Sequence, residues 1–137
     1  MSIEKQADYK PSEEEILNAI DAYVAAVANS SNIFKIGRCA RDGFRGLQHR
    51  EMYEDHESIT EIFSGSREKA AWLERALTEW ALRNQPDRCI NEKAGGGGMG
   101  EAEDHVVYIV QWKPTRALTR KAIYNFFLRK YGDAPQE

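Results

Sequence analysis

The chain has 137 residues, with 19 Lys plus Arg against 22 Asp plus Glu, for a formal net charge of −3. That length fits one domain and buries on the order of two-thirds of its surface, enough to fold without a disulfide staple. A composition that is 42% apolar and 30% charged excludes global disorder, and the acidic total argues against a protein that coats DNA. No apolar run of about 18 residues occurs, so no membrane span or membrane partner is expected. The opening stretch MSIEKQADYKPSEEE has no apolar core of a secretion signal. Cys39 and Cys89 are too few for a four-ligand zinc site and read as free thiols, which makes the cytoplasm of a bacterial or infected host cell the expected location.

The charge is unevenly spread. Residues 1–34 carry −4, 35–50 carry +4, 51–104 carry −7 and 105–137 carry +4. If the two basic segments meet in space, they form a compact anion site on an acidic body.

In chain order, Ser12 and Glu15 have the spacing of a capping box. Ile16, Leu17, Ile20, Tyr23, Val24 and Val27 then predict the apolar face of a helix over 12–28. Asn29 to Asn32 is a turn cluster. Ile33 to Ile36 reads as a strand stopped by Gly37. A short helix is expected from Phe44 to about Tyr53, and a second strand from Ile59 to Phe63. Ser66 opens a longer helix to about Arg83, with Ala70, Leu73, Leu77 and Trp80 as its buried stripe. Gly95 to Gly98 is a glycine loop that matches no P-loop. Val106 to Trp112 is apolar on both faces, which predicts a central strand. Pro114-Thr115 opens a last helix to about Tyr131, closed by Gly132. The expected fold is a single α+β domain over 1–137: a small antiparallel three-stranded sheet, its C-terminal strand central, flanked by four helices. The amphipathic first and last helices carry more apolar surface than such a sheet covers, which favours a homo-oligomer.

Four polar positions stand out. Arg45 and His49 share a helix face at i, i+4. Glu74 sits beside the apolar stripe of the long helix, and Asn91 follows that helix. With Lys35-Ile36-Gly37 ahead of them, this ordered spacing resembles the GIY-YIG nuclease superfamily over about residues 33–98, especially its phage-associated Lys-Ile-Gly branch. The resemblance implies a Mg2+- or Mn2+-dependent endonuclease. Glu74 would be the metal ligand, Arg45 the cation against developing charge, and His49 a further catalytic group. The family's opening Gly-Ile-Tyr strand is absent before the second motif. Val107-Tyr108-Ile109-Val110 looks like that strand displaced to the C-terminal side, as in a circular permutation, and Tyr108 would then return a phenol to the site.

A second resemblance is architectural. Two long terminal helices around a small sheet look like the phage anti-Thoeris proteins, which sequester cyclic nucleotide signals. With Asn91 before the last strand and Arg116 and Arg120 on the last helix as contacts, it implies a non-catalytic, cofactor-free binder of a small phosphate-containing ligand that keeps the GIY-YIG-like groove, to which Lys35 and Arg45 belong. A small ligand needs only a few cations, whereas duplex DNA presents about one charge per 1.7 Å to an acidic body. The displaced tyrosine weighs the same way, so the binder is expected over the nuclease, with nucleic acid a partner only in the second case.

Overall fold

The computed structural model describes residues 10–27, 30–44, 56–91 and 104–131. Arg45, His49, nearly all of the helix expected over 44–53, the Gly95–Gly98 loop and Gly132 lie outside the described residues. The elements are α1 (Glu13–Val27), β1 (Ile33–Ala40), β2 (Ser58–Ser66), α2 (Arg67–Asn84), β3 (Asp104–Trp112) and α3 (Arg116–Tyr131). A helical turn at 41–44 follows β1.

The strands form one antiparallel sheet in the order β1-β3-β2. β3 is the central strand, as burial on both its faces requires: His105 to Gln111 are all buried. Phe34, Ile36, Val107 and Ile109 face α1 and α2 with Phe63 and Leu73, and make the main core. Val106, Tyr108 and Val110 form the opposite face with Phe44.

Local signals place the helices. Ser12 N–H donates to Glu15 Oε1 at 2.9 Å, and Glu15 N–H donates to Ser12 Oγ at 3.1 Å, a closed capping box. The Glu15 carboxylate also accepts from Lys69 Nζ at 3.0 Å, which ties α1 to α2. Ser66 caps α2 by accepting from Lys69 N–H at 3.2 Å. Thr115 caps α3 through Leu118 N–H at 3.1 Å.

Three expectations are corrected. β1 does not stop at Gly37 but runs on to Ala40. The Tyr108 ring lies across from Gly37 in the ladder, and a Cβ there would meet it at 2.6 Å, so the glycine makes room for an aromatic ring. Trp80 is 51% exposed, and Ala81 takes its place in the buried stripe of α2. Small residues at Ala70 and Ala81 let the helix sit close to the sheet, while Trp80 lies about 100° round the helix and stacks edge-on against Tyr23. On α1 the buried stripe is Ala19, Tyr23 and Val27, and the predicted face residues Leu17, Ile20 and Val24 are exposed.

Candidate functional site

Strand alternation puts Arg38 on the face of β1 shared with Phe34 and Ile36, where α2 covers it. Glu74, only 3% exposed, reaches it from α2: Arg38 Nε donates to Glu74 Oε1 at 3.2 Å. Arg38 Nη1 lies 2.8 Å from His105 Nδ1 on β3. Arg38 pairs across the ladder with Val107, so His105 is its diagonal neighbour on the same face. A guanidinium only donates, so His105 Nδ1 is the acceptor in this contact. The three side chains form a buried network between sheet and helix. One turn beyond Glu74, the buried Thr78 hydroxyl has no hydrogen-bond partner among the described residues.

Asn91 finishes the free edge of β1. Its Oδ1 accepts from Ile36 N–H at 2.9 Å and its Nδ2 donates to Ile36 C=O at 2.8 Å. Cys89 Sγ also donates to Oδ1. The amide thus stands in for a strand residue beside β1, continuing the pairing of Phe34 with Arg88 and Ile90. Cys39 and Cys89 are both free thiols, and burial pushes the Cys39 thiol up from its ordinary value.

The other expected site residues are divided. Tyr108 is buried against Phe44 on the face of β3 opposite to Val107. The sheet therefore stands between its phenol and Glu74. Lys35 is half-buried on β1, two residues from the Ile33–Trp112 pair, so it sits about 7 Å from the end where the chain leaves β3 toward Lys113 and α3. Arg38 and Arg41 lie toward the other end, and Arg41 donates to Ser64 Oγ. Among the described residues of 35–44, Lys35 is the cation nearest the end of the sheet from which α3 departs. Arg116 and Arg120 are exposed. Ala122 and Leu118 pack α3 onto Ile33 and Ile90, and Asn125 Nδ2 donates to Ile90 C=O at 2.9 Å. Both arginines project from the other side of the helix.

The metal implied by the nuclease resemblance fits this arrangement poorly. Mg2+ dehydrates reluctantly and keeps several waters, whereas the Glu74 carboxylate is sealed under the sheet and held by a cation. Among the described residues no three His, Cys, Asp or Glu side chains are grouped to hold a metal ion.

Arg38 and His105 went unread in the sequence. The available signal was Glu74 itself, an acid on the buried stripe of α2, which requires a cation on the facing strand. Comparison with protein-family models, curated proteins and solved structures finds no match to this chain. No helix among the described residues is long and apolar enough to cross a membrane.

Proposed function

We propose that this chain is a non-catalytic binder of a small phosphate-bearing ligand, a nucleotide or cyclic nucleotide. One observation carries the reading: Glu74 and Tyr108 stand on opposite faces of the sheet. A phosphodiesterase of the resembled type needs metal-ligating carboxylate and phenol at one phosphate. Here the carboxylate neutralises Arg38, and the phenol packs on Gly37 and Phe44.

The remaining phosphate chemistry lies at the Lys35 end of the sheet. Lys35 lies toward the end of the sheet from which the chain passes through Lys113, whose Nζ is 4.0 Å from Glu57 Oε1, to Arg116 in the first turn of α3, where N–H groups and the helix dipole favour an anion. Charge there suits two or three phosphates, not the length of a duplex.

Calorimetry against cyclic dinucleotides, cyclic trinucleotides and cyclic ADP-ribose isomers tests the reading. Wild type is expected to bind one class, and Lys35→Ala with Arg116→Ala is expected to weaken it at least tenfold, the scale of one lost charge-assisted contact. No heat with any ligand, or cleavage of DNA or RNA in Mg2+ or Mn2+ that Glu74→Gln abolishes, would reject it.

A further inference from the structure

α1 and α3 each turn an apolar face to solvent. On α3 Ile123, Tyr124, Phe127 and Tyr131 lie on the side opposite to Ala122 and Asn125. On α1 Leu17, Ile20 and Val24 lie opposite to Ala19. Each of these seven residues is between 39 and 60% exposed. Contiguous faces of this kind mark interaction surfaces rather than ordinary surface scatter.

Charge selects the occupant. α1 holds Glu13, Glu14, Glu15 and Asp21 and no basic residue. α3 holds five Lys and Arg and no acidic residue. Packing α3 on α3, or α1 on α1, would bring like charges together around the apolar stripe. Packing α3 on α1 joins two apolar stripes within opposite charges. We propose that α3 of one copy docks on α1 of a second copy of this chain. Exchanged between two copies about a two-fold axis, the contact closes a dimer, and passed head to tail from copy to copy it builds a ring. Phe127 and Tyr124 are its anchors, as aromatic side chains carry most of the energy of such interfaces.

The test is the oligomeric state in the absence of ligand, by light scattering and sedimentation, with circular dichroism confirming that each variant is folded. Wild type is expected to assemble, and Phe127→Asp to weaken assembly roughly tenfold or more. The variant Arg120→Glu/Lys121→Glu should assemble poorly alone, and so should Glu13→Lys/Asp21→Lys. Mixed together, they should associate again, because both α1–α3 contacts are then complementary. A monomeric wild type overturns the proposal, including the case in which another segment of the chain covers the face. So does a Glu13→Lys/Asp21→Lys variant that assembles like wild type, since the contact would then not involve α1.

Discussion

α2 and α3 are similar in length, 18 and 16 residues, but they serve the fold differently. α2 buries seven side chains, and two of them, Glu74 and Thr78, are polar. α3 fixes itself through a narrow stripe centred on Ala122 and Asn125 and leaves aromatic rings in solvent. The first helix spends its residues on the domain's own interior, including an acid that a nuclease would spend on a metal. The second leaves Ile123, Tyr124, Phe127 and Tyr131 exposed. The chemistry-bearing residues of the chain sort along the same line, with neutralised charge under α2 and exposed cations on α3.

The largest expected effect lies under α2. Glu74→Ala leaves the Arg38 guanidinium buried without its carboxylate and should cost about 3–5 kcal/mol in urea unfolding, the usual cost of breaking a buried ion pair. Gly37→Ala comes next: the added Cβ collides with a buried Tyr108 ring, and about 1–3 kcal/mol is expected, as for other overpacked cores. Tyr108→Leu in the same chain should recover part of that loss. On α3, Asn125→Ala removes one buried hydrogen bond to Ile90 and should cost about 1 kcal/mol in the same measurement. An effect on α3 as large as that of Glu74→Ala would erase the contrast between the helices.

The smallest effect is a pH dependence at the start of α1. The hydrogen bond from Ser12 N–H, followed by that from Lys69, holds the Glu15 carboxyl below its ordinary value of 4.5. A depressed carboxylate contributes stability that is complete above the ordinary value and is lost as pH falls through the native one. Thermal melts should therefore decline below about pH 4.5 more steeply for wild type than for Glu15→Gln.

Much of the fold was legible in the residues. Apolar positions on both faces of 106–112 identified the central strand, and Ser12, Ser66 and Thr115 marked the helix starts because their hydroxyls cap locally. The errors share a cause. Gly37 looked like a stop because a glycine weakens an isolated strand, but here it accommodates Tyr108, a residue 71 positions away that only the ladder brings opposite. Trp80 and Leu17 looked like core because they are large and apolar, whereas the core selected Ala81 and Ala19 for close approach. The network at Glu74 was half visible: the acid stood out, but Arg38 meets it only where α2 packs on the sheet, and His105 joins Arg38 only through the β1–β3 register. Asn91 stood out too, and its two bonds to Ile36 depend on a chain edge that no local pattern announces.

Glu74 is the internal partner of Arg38. A double-mutant cycle in urea unfolding tests that pairing most directly, with Glu74→Leu, Arg38→Met and the two together. Glu74→Leu is expected to lose much stability and the double variant to recover a substantial part of it, because apolar pairs replace buried ion pairs well. A Glu74→Leu variant as stable as wild type, with no coupling to Arg38, would contradict the pairing.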